Sequence, residues 1–486
     1  MSSESIDPKF RRRVTGLAIA AAVGGFLFGF DSSVINGAVD AIGKQIVAPA
    51  VSGPGREFVD GFVVAVALLG SAVGAWIAGN LADRWGRPRV MLLGAALFFV
   101  SAIGAGLAQS VWDLGFWRVV GGLGIGIASV IAPAYIGEVA PKGVRGGLAS
   151  LQQLAITIGI FVALLSDFVL NSAAGNDATA SLWLNLGAWR WMFIVGVIPA
   201  AVYGYLALRV PESPRYLLLV GRRDEAVQVF STIVPENEID TAVGDIEKAI
   251  AEDRKNARAS LRGPSFGLHP IVWVGIILSV FQQFVGINVV FYYSNSLWTA
   301  VGLGAHAFLL SVISGIVNVL VTFIAIALVD RIGRRILLLI GSIGMAVPLG
   351  LEAVAFSFAT LHNGQLTLPA AWAAVAVVSA NVFIIAFGAT WGPLVWVLLG
   401  EIFPSRIRAR ALGVAAAAQW IANFIISETF PPLSSWSLPG TYAIYAIFAA
   451  LSFFFVLFRV PETKGVALEK TEALFLGRHP ELRESA

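Results

Sequence analysis

Two charged residues and a set of amides stand out because of what surrounds them. Asp31 is the only acid deep in the first long apolar run, and Arg118 is the only base within any such run. An ionisable group in hydrocarbon is costly and points to a task, with a partner of opposite sign nearby. Gln153, Gln282, Gln283, Asn288, Asn318, Gln419 and Asn423 also lie within apolar runs. Phe291, Tyr292 and Tyr293 follow Asn288 by about a turn, and Trp396 follows a glycine–proline break. An amide donates and accepts hydrogen bonds with no charge to desolvate. Aromatic faces supply apolar stacking surface. Together these groups suit a neutral molecule rich in hydroxyls, although any single amide could equally join two helices.

Other chemistries lack their residues. There is no cysteine, and His269, His306, His362 and His479 have no metal-ligand spacing. No nucleophile–base pair or phosphate-binding loop occurs. Catalysis, a bound metal and a cofactor are therefore not expected. With 57% hydrophobic and 13% charged residues in 486, the chain is not a soluble globular protein. Its mean hydropathy is +0.80. The basic residues are spread over short loops, which offers nucleic acid no patch, and no obligate protein partner is indicated.

The elements that must position these groups are transmembrane helices of ~20 apolar residues each. Twelve such runs lie near 14–37, 58–80, 90–110, 112–136, 147–169, 191–208, 269–297, 305–329, 336–358, 370–400, 412–430 and 440–458. The first is too long for a signal-peptide core and is read as a retained span. Of 33 Lys and Arg residues, 29 fall in alternate connections and tails, which places both termini in the cytoplasm. The fold class expected is an all-α integral membrane protein. It comprises a tail at 1–13, a six-helix half at 14–208, a helical linker domain at 209–268, a second half at 269–458 and a tail at 459–486. Short helices are expected at 224–234 and 239–258. In this topology Asp31 and Arg118 each lie about six residues, or ~9 Å, below the outer surface, so they can meet.

The halves repeat. Leu81-Ala-Asp-Arg-Trp-Gly-Arg87 returns as Leu328-Val-Asp-Arg-Ile-Gly-Arg334, and the pair Glu138 and Arg145 returns as Glu401 and Arg408 with the same spacing. Pro211-Glu-Ser-Pro-Arg215 is answered by Pro461-Glu-Thr-Lys-Gly465. Two halves related along the membrane normal are an architecture of secondary transporters, with the ligand held between them. Asp83, Arg84, Arg87, Glu138, Arg145, Glu212, Arg215, Asp330, Arg331, Arg334, Arg335, Glu401, Arg408 and Glu462 all lie on the cytoplasmic side. Carboxylate–guanidinium pairs drawn from them are expected to span the two bundles, to hold an inner gate shut and to break when it opens.

These motifs, with Gln282-Gln-Phe-Val-Gly-Ile-Asn288 and Trp391-Gly-Pro-Leu-Val-Trp396, resemble the sugar porter family of the major facilitator superfamily. The resemblance runs from Gly24 to Gly465. It departs at Pro88, where a second arginine is frequent, and at Phe30, where relatives carry tyrosine. It implies a monosaccharide substrate moved by alternating access, with a proton as coupling ion at Asp31 and Arg118. It also implies sugar contacts from Gln153, Gln282, Gln283, Asn288, Asn318, Trp396, Gln419 and Asn423, with Tyr292 and Tyr293 as an outer gate. Ile160 and Phe291 are the types that glucose-selective relatives carry, where the xylose symporter has Gln and Leu. D-glucose import by proton symport across a bacterial inner membrane is the leading expectation. A glucose facilitator, a myo-inositol or pentose symporter and a non-transporting sugar sensor are the alternatives.

Overall fold

The computed structural model describes residues 8–53, 55–140, 145–256, 260–362, 365–404 and 407–463. Among the described residues, eleven helical runs are long and apolar enough to cross a membrane. The first joins α1 (Pro8–Ser33) to α2 (Ile35–Ile42), a π-helical turn and α3 (Ala48–Ala50). Four crossings follow: α4 (Arg56–Trp85), α5 (Arg87–Leu107), α6 (Val111–Val139) and α7 (Arg145–Ala173). α8 (Ala188–Ile194) and α9 (Val197–Ala207) share the sixth. The linker contains α10 (Pro214–Leu219), α11 (Arg223–Phe230) and α12 (Ile239–Asn256), near the two short helices expected there.

The second half opens with α13 (Pro270–Phe284) and α14 (Ile287–Ala300), which share one crossing interrupted at Gly286. Its φ of 84° is the left-handed region that glycine adopts without steric cost. α15 (Ala307–Ile332) and α16 (Arg334–Ser357) follow, then α17 (Ala370–Ala389) and α18 (Trp391–Ile402) in one crossing, and α19 (Arg408–Arg459). The 52 residues of α19 would span ~78 Å as one rod, against ~30 Å of hydrocarbon. Ser437 leaves helical geometry (φ −162°, ψ 104°) among Pro431, Pro432 and Pro439, so the run makes two passes. The protein is thus a multi-pass helical membrane protein, whose described residues make twelve passes.

Two details differ from expectation. A small antiparallel hairpin, β1 (Thr360–His362) with β2 (Gln365–Thr367), sits between α16 and α17. The first crossing also stays helical past residue 37, because Ile42, Ile46 and Val47 are buried and hold the extension on the bundle.

Glycines let the backbones of neighbouring helices approach closely, the packing that lipid-embedded bundles favour. A Cβ at Gly122 of α6 would lie 2.0 Å from the Ala67 carbonyl oxygen of α4. One at Gly29 of α1 would lie 2.0 Å from that of Ile156 on α7.

The repeated motifs fold alike. Gly86 (φ 89°) and Gly333 (φ 110°) make the tight turns from α4 to α5 and from α15 to α16. Glu212 accepts from the backbone N–H of Arg87 at 2.9 Å, and Glu462 from those of Arg334 and Arg335 at 3.0 and 3.1 Å. A carboxylate at a helix start satisfies N–H groups that have no partner within the helix. Arg87 binds Glu138 through two bonds, Nε to Oε2 at 3.0 Å and Nη2 to Oε1 at 2.9 Å. Asp83 lies 3.2 Å from Arg87 Nη2, and Arg215 Nε lies 3.9 Å from Glu138. In the second half Arg334 reaches Glu401 at 3.0 Å. Arg335 donates to the Leu457 carbonyl, Arg408 to that of Phe403, and Arg84 accepts at its carbonyl from Tyr216.

Each of these ion pairs closes inside one repeat, counting the linker motif that follows the first half. The reason is local. The acid that each arginine meets comes from its own repeat, carried to it by the helices of that half. The side chains of Arg145, Asp330 and Arg331 lie outside the described residues.

The halves instead meet mid-membrane and toward the opposite face. Asn36 donates to Ser294 at 2.8 Å and accepts from the backbone N–H of Asn295 at 3.0 Å. Ser296 donates to Asp40 at 2.7 Å, and within the second half Ser311 donates to Asn295 at 2.6 Å and so steadies it. Deeper in, Thr322 donates to Thr157 at 3.3 Å, and Phe28 packs on Trp420 with ring centroids 5.8 Å apart.

Candidate functional site

The amides of α13, α14 and α19 form one connected group. Gln282 donates to the carbonyl oxygens of Trp391 and Gly392, both at 3.0 Å, at the break between α17 and α18. Its own oxygen accepts from Gln419 and, at 3.5 Å, from Gln283. Asn288 donates to Gln283 across the Gly286 break at 2.6 Å. Both N–H donors of Gln282 are thus committed to backbone, so Gln282 is chiefly a junction between three crossings. Among the described residues, Gln419 Oε1 has no hydrogen-bond partner, and Gln283 Nε2 has only the long bond to Gln282. These less committed atoms face the chemistry that a hydroxyl-rich ligand supplies: an acceptor for its O–H and a donor for its oxygen.

Other expected residues lie on α7, α15, α18 and α19. The Thr322–Thr157 bond sets α15 beside α7. Asn318 is one turn from Thr322, and its carbonyl accepts the same threonine hydroxyl at 2.9 Å. Gln153 is one turn from Thr157 on α7, and Ile160 lies three residues beyond it; both are partly buried. Asn423 is buried one turn from Gln419 on α19. Trp396 differs: it is 44% exposed, one turn along α18 from Gly392 and not packed into the core. Trp391, not anticipated, is fully buried and donates to the Leu338 carbonyl at 3.0 Å and to Ser342 at 3.1 Å, which fixes the break that Gln282 grips.

Phe291, Tyr292 and Tyr293 are buried on α14. Tyr293 donates to the Ser427 carbonyl at 2.9 Å and packs on Phe430. Tyr292 lies beside Asn423 and Ser32.

Asp31 and Arg118 do come together. Arg118 Nη1 is 3.6 Å from Asp31 Oδ2 and 3.3 Å from the Asp31 carbonyl oxygen, while Nη2 reaches the Val64 carbonyl at 3.4 Å. The guanidinium is 5.9 Å from the Phe193 ring centroid. All of these bonds are long, and among the described residues neither Arg118 Nε nor Asp31 Oδ2 has a close hydrogen-bond partner. It is a buried pair with slack in it. Outside the membrane, burial pushes the Glu212 carboxyl above the usual range, against the backbone N–H bonds from Arg87 and Ser213.

What sequence reasoning missed is the contact between halves. Asn36 carried a signal, a polar residue in the same crossing as Asp31, but nothing in the sequence names its partners.

Comparison with known proteins accords with this geometry. The family profile described as "Sugar (and other) transporter" matches residues 17–475. The chain is 49% identical to the glucose transport protein of Synechocystis sp. over 96% of this chain and 98% of the relative. It is 36% identical to the D-xylose-proton symporter of Escherichia coli K12, over 95% and 96%. Its fold is similar to the inward-open conformation of the xylose transporter from E. coli, with a TM-score of 0.81, 34% identity and coverage of 95% and 99%. That transporter bound to 6-bromo-6-deoxy-D-glucose gives a TM-score of 0.78 at 36% identity, over 96% of this chain and 99% of the other. Built from two like halves, with a connected group of amides in the second and the Asp31–Arg118 pair in the first, this chain belongs to the sugar (and other) transporter family.

Proposed function

We propose that the chain imports a hexose, D-glucose, together with a proton by alternating access across a bacterial plasma membrane, with both termini in the cytoplasm. The halves 14–208 and 269–458 rock about the ligand, and the linker 209–268 joins them on the cytoplasmic side. The observation that carries the substrate class is the amide group around Gln282, whose less committed atoms are Gln419 Oε1 and Gln283 Nε2, the latter on the crossing that also carries Phe291. Gln153, Gln283, Asn288, Asn318, Gln419 and Asn423 hold the hydroxyls, Trp396 offers a stacking face, and Tyr292 and Tyr293 close the outer side. Ile160 and Phe291 present apolar walls suited to a hexose. Kinship to the Synechocystis glucose transport protein supports glucose, and kinship to the xylose-proton symporter supports coupling.

Coupling runs through the slack charge pair. The Asp31 carboxylate and the Arg118 guanidinium attract each other; a proton on Asp31 removes that attraction and frees Arg118. In the inward-facing arrangement, with the halves joined on the outer side, release of sugar and proton to the cytoplasm restores the pair. The ion-paired clusters at the cytoplasmic ends (Asp83, Arg84, Arg87, Glu138, Glu212 and Arg215, with Arg334, Arg335, Glu401, Arg408 and Glu462) keep each half rigid. Arg145, Asp330 and Arg331 belong to the same motifs.

Uptake of a labelled sugar panel into proteoliposomes, with an imposed pH gradient and with or without a protonophore, tests the reading. Gradient-driven accumulation of glucose that the protonophore abolishes is expected. Equal uptake in both conditions establishes a facilitator instead.

A further inference from the structure

The outer segment of the first crossing starts without a cap of its own. α2 begins at Ile35 after the irregularity at Val34, and Val34 has no side chain able to accept the first backbone N–H groups. In lipid no water substitutes for it. The partner comes from another helix. Asp167 of α7 is fully buried, and its Oδ2 accepts from the backbone N–H of Gly37 at 3.1 Å; its Oδ1 has no partner. Gly37 is the third residue of α2, where an N-cap side chain ordinarily binds. The approach needs glycine, because a Cβ at Gly37 would lie 2.7 Å from the Asp167 carboxyl. Gly37 directly follows Asn36, whose amide joins Ser294 and Asn295 of α14 across the two halves.

We propose that Asp167 is a positioning residue for outer closure. By capping α2 from α7, it fixes the Asn36 side chain in register with α14, so the outer side is held shut when the halves come together. Among the described residues no hydrogen bond joins Asp167 to the amide group or to the Asp31–Arg118 pair, and its role is exerted through Gly37 and Asn36. This inference rests on the alternating-access reading above.

The chain has no cysteine, so a pair of introduced ones reports alone. Ser172→Cys beside the end of α7 and Ala305→Cys before α15 are both exposed and belong to opposite halves. Spin labels there, measured by pulsed dipolar spectroscopy in lipid nanodiscs, read the outer separation. Asp167→Leu removes the acceptor and is expected to raise the ratio of long to short separations by roughly fivefold or more, equivalent to ~1 kcal/mol. Asp167→Asn keeps an acceptor oxygen and is expected to restore the unsubstituted distribution. Gly37→Ala leaves the carboxyl in place but forces it away, and is expected to reproduce the Leu shift; it serves also if the Leu variant fails to insert.

An unchanged distribution in Asp167→Leu, or in Gly37→Ala where Leu does not insert, overturns the assignment. So does a shift in Asp167→Asn as large as that in Asp167→Leu. The unsubstituted protein must itself show two separations that glucose redistributes. A single fixed separation would refute alternating access, whatever the Asp167 variants did.

Discussion

Asp31→Asn tests the coupling reading most directly. The substitution removes a charge 3.6 Å from Arg118 Nη1. At an effective dielectric constant of about 20, the attraction across that gap is roughly 4–5 kcal/mol. One proton falling through 100 mV supplies ~2.3 kcal/mol. The membrane potential acting on one charge is thus smaller than the attraction it would have to overcome, and neutralising the acid is the cheaper way to part the pair. At one-to-one coupling that same ~2.3 kcal/mol sustains roughly fifty-fold sugar accumulation, since ~1.4 kcal/mol is tenfold. Asn cannot carry the proton but keeps the shape and a carbonyl oxygen for Arg118. In proteoliposomes the variant is expected to lose uphill accumulation, its internal-to-external sugar ratio falling to about one, while counterflow of preloaded sugar persists. The two assays are run on one preparation. If Asp31→Asn still concentrates sugar in response to a pH gradient, Asp31 is not the coupling site and another acid carries the proton.

Three further outcomes are expected. Gln283→Ala should weaken glucose binding by the ~1–3 kcal/mol of an unpaired hydroxyl with little change in thermal stability, whereas Gln282→Leu, which severs three crossings, should lower both; calorimetric affinity of Gln283→Ala within about twofold of the parent, well under that expected cost, removes it from the site. Ile160→Gln with Phe291→Leu should lower the hexose-to-xylose preference in a competition assay, and an unchanged ratio would count against both as selectivity residues. Glu212 holds its proton more tightly folded than unfolded, because burial raises its pKa. Its contribution to stability is therefore full below the ordinary carboxyl range and lost as pH rises through the raised value. Glu212→Gln, which cannot titrate, should flatten that decline in thermal melts taken from about pH 4 to about pH 8, and a slope equal to the parent's would contradict it.

The features legible in the sequence are those set by one-dimensional spacing. Asp31 and Arg118 could be placed at equal depth because helical rise converts residue count into distance. The twelve apolar runs were readable for the same reason. Partner choice was not. Arg87 and Arg334 announce that they seek carboxylates, yet only the packing of each half decides that Glu138 and Glu401 answer from within it. Gln282 and Gln283 are neighbours of one type, and nothing in the chain distinguishes them. The difference arises because Gln282 meets two carbonyls freed at the α17–α18 break. The hairpin at 360–367 is too short to leave a periodic signature.

The break at Gly286 also changes what a bound sugar does to the protein mechanically. Gln282 and Gln283 end the inner rod of that crossing and Asn288 begins the outer one, with a single close amide contact, Asn288 to Gln283, bridging the joint. Glycine in a left-handed turn gives such a joint little stiffness of its own. A ligand bonded to amides on both sides acts as a splint, replacing a free swivel by a set angle. The outer rod carries Phe291, Tyr292 and Tyr293, so its direction then depends on the cargo. A molecule that engages only one rod can occupy the site and still leave the joint loose. On the proposed reading of these residues, shape discrimination and gate movement therefore share one piece of hardware, and a poor substrate is rejected by failing to stiffen it.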